Sequence, residues 1–393
     1  MQINKGSLGR AISGAICLGL TLVAQAKPLP PPLPEEEIRV EKLSLPDGNR
    51  LYVSDTAFHH MVDGRLMVFD GKSFKFLGMI GTGFGALTTH SPDKKDIYVV
   101  TTYQHRLSRA PREDVLEIHD ATTLELKAEV TLPPRRAQSL PYRGLLATSD
   151  DGRFLYVQNA TPATSVTVVD LQQRKVVSEV QTPGCWSLYP WGGDKDDLRR
   201  VSTICGDGTL LTLALDGAGQ VTGRNRSARF FDPDKDPIFT HPERLGDKRY
   251  FVSYGANVYT VRFEGDAPSF EPVWSLLDDK TKKSNWRPGG YQLTAIHHAS
   301  GTFFVGMHPK GYEGSHKNPA KEIWAFDLNS HKRIARFSGN DAVALTVSQG
   351  ADSRLFALDV ATTSIEVRAI KTGYPVLGKI QQAGEVPMVM EVR

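Results

Sequence analysis

The chain has 393 residues, 40% of them hydrophobic and 23% charged, with 47 lysines and arginines against 44 aspartates and glutamates. That is a globular composition, and it excludes a wholly disordered chain, a collagen-like repeat and a disulfide-dense miniprotein. A formal charge of +3 without any run of five or more basic residues is too weak to hold a phosphate backbone, so no nucleic-acid partner is expected.

The N-terminus reads as an export signal over residues 1–26. Lys5 and Arg10 give a positive start, Ala11 to Val23 is apolar, and Ala24-Gln25-Ala26 offers small residues around a cleavage site. The apolar run is too short to span a ~30 Å hydrocarbon core, which takes about 20 residues, and no later stretch is long and uncharged enough, so no membrane span is expected. Cleavage after Ala26 removes Cys17 and leaves Cys185 and Cys205. In an exported chain the pair favours a disulfide closing a loop of about 20 residues, roughly 3 kcal/mol on chain entropy, over two free buried thiols. Residues 27–45 follow as an extended arm. Its opening, Lys27-Pro28-Leu29-Pro30-Pro31-Pro32-Leu33-Pro34, cannot build helix or sheet because each Pro lacks the backbone donor and fixes φ. The arm is either a solvated tail or a strap along another subunit.

From residue 46 to 393 one unit recurs. A short alternating run, Leu51 to Asp55, is followed by a turn and a second run, Leu66 to Asp70. The same pair returns at Ile97 to Val100 with Val115 to Asp120, Phe154 to Val157 with Val166 to Asp170, and Val201 to Ile204 with Leu210 to Asp216. It returns again at Tyr250 to Ser253 with Val258 to Phe263, Thr302 to Val305 with Ile323 to Asp327, and Leu355 to Leu358 with Ile365 to Val367. Seven copies at a period of about 52 residues predict an all-β, seven-bladed β-propeller, with the first run of each pair as the inner strand. Asp207-Gly208, between the two runs of the fourth unit, supplies a hairpin turn. Helices should be few. The last run, Val386 to Val392, has no partner in its own unit, so it should pair into the first blade or lie beside Ile38 to Leu43, because an open edge invites aggregation.

A propeller is a scaffold, and the chemistry-bearing candidates on it are sparse. Gly81-Thr82-Gly83-Phe84-Gly85-Ala86 nearly matches a dinucleotide loop, but no helix follows to meet a pyrophosphate. Asp232-Pro233-Asp234-Lys235-Asp236 begins like a calcium loop, yet Pro237 stands where the turn needs Gly. The pairs His59-His60 and His297-His298 would point to opposite faces of a strand, so neither chelates one ion and no metal site is expected. Cys185 follows a third-blade turn and Cys205 lies in the first run of the fourth blade, so a bridge between them would tie neighbouring blades. Asn285-Trp286-Arg287-Pro288-Gly289-Gly290-Tyr291-Gln292 reads as a packed corner between blades.

In the order and spacing of Leu51 to Asp55, Gly83-Phe84, Cys185 through Asp207-Gly208, Trp286-Arg287-Pro288-Gly289-Gly290 and Val347-Ser348-Gln349, the chain resembles the heavy subunit of bacterial quinoprotein amine dehydrogenases, most of all the aromatic (aralkylamine) type. The resemblance implies a seven-bladed propeller in a periplasmic assembly of two heavy and two light subunits. The cofactor would be tryptophan tryptophylquinone on the light subunit, with none on this chain, oxidising primary amines to aldehyde and ammonia and passing electrons to an azurin-like blue-copper protein. No catalytic residue is then expected here, and the five tryptophans are packing residues. The heavy-subunit phenylalanine that borders the substrate channel falls on Phe84, whose flanking glycines would present the ring at a loop tip. The competing reading is a stand-alone periplasmic propeller, a binding module or a lactonase-like hydrolase, which would need carboxylates from several blades converging on a metal.

Overall fold

In the computed structural model the described residues are 41–138, 141–193 and 198–393. The expected signal segment and residues 27–40 of the arm lie outside them. Among the described residues nearly all regular structure is strand, with one five-residue helix, Asp279–Lys283, and two short 3-10 turns. No helix there is long and apolar enough to cross a membrane.

The strands form six sheets whose ladders are antiparallel and mostly follow chain order. The first has seven strands: Pro387–Val392, Arg50–Asp55, Gly64–Asp70, Phe76–His90, Asp96–Arg106, Arg109–Asp120 and Leu126–Leu132. Its long strand Phe76–His90 serves two ladders, pairing through Gly83 with Gly64–Asp70 and from Phe84 onward with Asp96–Arg106. The remaining sheets begin at Leu146, Cys185, Glu243, Arg287 and Ala344, and each has four or five strands. The C-terminal strand pairs with Arg50–Asp55, Met390 opposite Val53, the first of the two placements expected.

The recurring runs are strands, but they are the two middle strands of each unit, as with Phe154–Asn159 and Ser165–Asp170 between Leu146–Thr148 and Lys175–Gln181. The expectation that the first run of each pair is innermost is therefore corrected. Middle strands are flanked on both sides, so every position of Phe154–Asn159 and Ser165–Asp170 is buried and the run is strongly apolar. Alternation then splits each strand between two neighbours. Leu51 and Val53 pack with Phe356, Leu358 and Val367 of the last sheet, whereas Tyr52 packs with Ile80, Ile97 and Val99. Each consecutive pair of units shares such an apolar cluster, and the last shares one with the first. Truncating a fully buried ring such as Phe303 or Phe304 should cost about 3–5 kcal/mol.

Cys185 and Cys205 form a disulfide. They sit directly opposite one another on adjacent strands, Cys185–Gly192 and Arg199–Cys205, so the bridge staples one sheet and does not tie two neighbours. The sequence places Cys185 just after a turn, but that turn already opens the strand that pairs with Arg199–Cys205.

Candidate functional site

Antiparallel strands put their turns alternately at the two ends of each unit. The crossover at Phe84 shares its end with the turns at Phe58–Asp63, Leu107-Ser108 and 309–319. That end carries Leu107, 77% exposed at the tip of the longest hairpin, and Tyr312, 66% exposed, with Phe58 and Tyr103 also in solvent. Large apolar side chains gathered at one end of a β-scaffold make it a candidate docking face.

Phe84 is not at a loop tip. It lies inside Phe76–His90, opposite Thr102, at a bulge that runs to Leu87. Gly83 (φ 62°) and Gly85 (φ 55°) take the left-handed conformation on either side of it, and a side chain on Gly83 would meet Thr101 Oγ1 at 2.9 Å. The glycines therefore let one strand pass from one ladder to the next without a loop, leaving the Phe84 ring half-buried.

What fixes this bulge was not visible in the sequence. Arg136, 1% exposed, donates from Nη2 to the Phe84 carbonyl (2.6 Å), from Nη1 to the Gly85 and Ala137 carbonyls (2.8 and 3.1 Å), and from Nε to Thr102 Oγ1 (2.9 Å). The Thr102 hydroxyl donates to Asp114 Oδ1 at 2.6 Å, and Asp114 also accepts from Arg112 Nε at 2.7 Å and from the Arg136 amide at 3.1 Å. Burial pushes the Arg136 guanidinium down to about 10, against the pull of Asp114, so it stays charged at neutral pH. A planar guanidinium with several fixed donors suits two adjacent carbonyls splayed by a bulge.

The edge strands Leu146–Thr148, Cys185–Gly192, Glu243–Leu245, Thr294–His297, Ala344–Val347 and Pro387–Val392 are the inner strands, and they line a central cavity of about 570 Å³ that also holds Arg143, Asp150, His241, Arg249 and Arg393 in its wall. Its charges are mostly paired. Arg143 contacts Glu243, Arg244 grips both oxygens of Asp150 (2.6 and 2.8 Å), and Glu391 takes His90 (3.0 Å) and Arg393 (3.2 Å). Burial opposes the Glu391 charge, but Arg393 and the His90 hydrogen bond prevail and hold its carboxyl down to about 2. At one side of the cavity an aromatic stack closes in. Tyr142 stacks on Tyr291 (4.5 Å) and on His241 (5.6 Å), and the Tyr291 hydroxyl donates to the Pro141 carbonyl (2.9 Å). His241, 8% exposed, leans toward the Tyr291 backbone without completing a hydrogen bond, and burial beside Arg143 pushes its imidazole down to about 3.

The other sequence candidates are structural. Asp236 accepts from the Gly255 amide (3.0 Å), Asn257 Nδ2 (2.8 Å) and the Tyr259 hydroxyl (2.8 Å), and Asp232 closes its own turn on the Asp234 amide (3.1 Å). His297 is satisfied by Ser300 and Ser353 (2.8 and 3.0 Å), and His60, on a 3-10 turn, meets Glu385 at 2.8 Å. Among the described residues no cluster of three or more His, Cys, Asp or Glu is placed to hold a metal ion. The corner segment is a corner as expected: Gln292 donates to the Leu345 and Met390 carbonyls (2.7 and 2.9 Å) and accepts from the Met390 amide (3.1 Å).

The family model described as methylamine dehydrogenase heavy chain (MADH) matches residues 47–392. The chain belongs to that family. A curated methylamine dehydrogenase heavy chain from Methylobacillus flagellatus is 25% identical over 346 residues, covering 87% of this chain and 84% of the relative. Solved structures are similar in fold alone. The periplasmic gluconolactonase PpgL of Pseudomonas aeruginosa has TM-score 0.58 at 14% identity, covering 87% of this chain and 98% of that one. The Cps50 (Swd1) β-propeller domain of Myceliophteria thermophila has TM-score 0.52 at 10% identity, covering 84% and 96%. A member of the methylamine dehydrogenase heavy chain family with this all-β architecture works as part of an amine dehydrogenase complex.

Proposed function

We propose that this chain is the non-catalytic heavy subunit of a periplasmic, tryptophan tryptophylquinone-dependent amine dehydrogenase. It would act on primary aromatic amines in an assembly of two heavy and two light subunits that passes electrons to a blue-copper protein. The observation that carries the reading is the family match over residues 47–392 on a β-sheet scaffold. The scaffold is read as seven blades in a ring, because Phe76–His90 divides the first sheet into two units and the apolar clusters run from each unit to the next and from last to first.

The quinone, when present, supplies the electrophilic carbonyl that takes up the amine and accepts its electrons. This chain's own tryptophans do not suit that group. The close pair Trp286 and Trp324 (5.0 Å) is buried in the core under the guanidiniums of Arg333 and Arg336, at 4.4 to 5.0 Å from the rings. The heavy chain's part is to dock the light subunit on the face bearing Leu107 and Tyr312, and to present Phe84 toward the amine's path. A phenyl ring held by a clamped backbone would exclude water and narrow the entry. The lactonase-like alternative draws on fold likeness alone, and the cavity carboxylates are engaged by arginines.

The test is purification from the native host. A small, coloured, cysteine-rich chain should accompany this one, and amine turnover should vanish when the two are separated. Turnover of tyramine or phenylethylamine by this chain alone would defeat the assignment. In the assembled enzyme, Phe84→Ala should change kcat/KM for aromatic relative to small aliphatic amines while moving the melting temperature little. A large melting shift with unchanged preference would make Phe84 a core residue.

A further inference from the structure

The central cavity contains four guanidiniums, Arg143, Arg244, Arg249 and Arg393, against three carboxylates, Asp150, Glu243 and Glu391. Each carboxylate is committed, Glu243 to Arg143 and Thr294, Asp150 to Arg244 through both oxygens, Glu391 to His90 and Arg393. Of the four guanidiniums, Arg249 is the one that no side-chain carboxylate of the cavity engages. It projects from the strand Lys248–Val252 and makes one hydrogen bond, Nη2 to the Pro190 carbonyl at 2.6 Å. Its guanidinium otherwise lies over the rings of Tyr189 (5.7 Å) and Phe263 (5.4 Å), and no carboxylate among the described residues forms an ion pair with it. Asp150 acts on it only at longer range.

A guanidinium has five donors, and the partly exposed Arg249 spends one of them on the Pro190 carbonyl. Burial and the neighbouring Arg244 push Arg249 down to about 9, so it stays charged at neutral pH. Arg249 also lines a second cavity of about 470 Å³ with Trp191 and Phe263, so it stands at the wall between two spaces. The aromatic faces beneath it fix the plane of the fork, and the unused N–H groups remain for a planar or tetrahedral oxygen cluster.

We infer that the central cavity is a binding site for a small oxyanion, a carboxylate or a phosphate group, held by Arg249 with Arg244 beside it. The site is independent of the amine dehydrogenase reading, because it lies among the inner strands of this chain and uses none of the Phe84 network.

Isothermal titration calorimetry on the full chain, with any partner it carries, tests it, using inorganic phosphate in one arm and acetate in the other at matched ionic strength against sodium chloride. Saturable one-to-one binding in either arm, with chloride silent, is expected, and the tighter arm identifies the oxyanion. Arg249→Gln should weaken that binding at least tenfold and should move the melting temperature little in ligand-free buffer, because the guanidinium is partly exposed and makes a single hydrogen bond, to the Pro190 carbonyl. Arg249→Lys, which keeps the charge but loses the fork, should fall between. The exposed Arg226→Gln should bind as the parent does. Heat only at tens of millimolar without preference among the anions, an adventitious ion only, would overturn the proposal, as would unchanged binding by Arg249→Gln. If Arg249→Gln fails to fold, the guanidinium is a structural pin and the proposal falls unless Arg249→Lys folds and shows the weakened binding.

Discussion

Replacing Arg136 with methionine isolates what the buried guanidinium does for the Phe84 bulge. Methionine fills comparable volume and has no donor, so the Phe84, Gly85 and Ala137 carbonyls and Thr102 Oγ1 lose a partner at once. An unpaired buried polar group costs about 1–3 kcal/mol, and breaking a buried ion pair about 3–5 kcal/mol. Asp114 keeps Arg112, Thr102 and the residue 136 amide, so the residual charge is not stranded and the lower end applies. We expect a loss of about 3 kcal/mol, less the gain from burying the methionine. Urea denaturation of the purified chain, comparing midpoints at equal slope, measures it. Arg136→Lys should recover part of the loss, since one ammonium can reach one or two of the acceptors but not all four. A change under about 1 kcal/mol for Arg136→Met would mean water or backbone relaxation satisfies the carbonyls, and the clamp would not be what holds the bulge.

Acid should destabilise the fold through His241. Its folded pKa of about 3 lies below the unfolded value near 6.5, so the unfolded chain takes up the proton first and stability falls as pH drops below 6.5. At pH 5 that amounts to about 2 kcal/mol, and His241→Phe, which can keep the stack on Tyr142, should flatten this limb; an unchanged pH profile would remove His241 as the cause. Glu391, held down to about 2, should add a second loss beginning below pH 4.5 and completed only as pH passes through about 2, so Glu391→Gln should lower stability at pH 7 more than at pH 2.5. Replacing both Cys185 and Cys205 with serine should cost about 3 kcal/mol by chain entropy, and thiol titration of the unreduced parent should find neither residue reactive. Gln292→Leu should cost about 3 kcal/mol and speed amide exchange along Pro387–Val392; exchange as slow as in the parent would show that Gln292 does not pin the terminal strand.

The sequence showed the strands that are buried on both faces and hid those that are not. Phe154–Asn159 and Ser165–Asp170 stand out because adjacent units cover them from both sides. The inner strands Leu146–Thr148 and Glu243–Leu245 are only three residues long, so no periodicity marks them and they pass for loops. Taking the legible strands for the inner ones followed from that. Three glycines in six residues read as a loop around Phe84, but two of them serve a bulge inside a continuous strand. Arg136 could not be found, because its partners Phe84 and Gly85 stand 52 and 51 residues away and no local pattern connects them. The disulfide was legible from the two cysteines that an expected export signal leaves, whereas its place within one sheet depended on an inner strand that leaves little trace.

The ladder between Arg50–Asp55 and Pro387–Val392 has a kinetic consequence. It joins segments more than 330 residues apart along the chain, and bringing such ends together costs about 5 kcal/mol of loop entropy, only slightly recovered until several contacts form together. The second strand also leaves the ribosome more than 330 residues after the first. Until it arrives, Arg50–Asp55 exposes an unpaired edge made of Leu51, Tyr52 and Val53, a short β-prone apolar run of the kind that recruits other chains. A nascent or C-terminally clipped molecule is therefore hazardous at its beginning, not at its cut end. Moving residues 382–393 ahead of residue 46 would turn that distant pairing into a local hairpin and shorten the time the edge stands open.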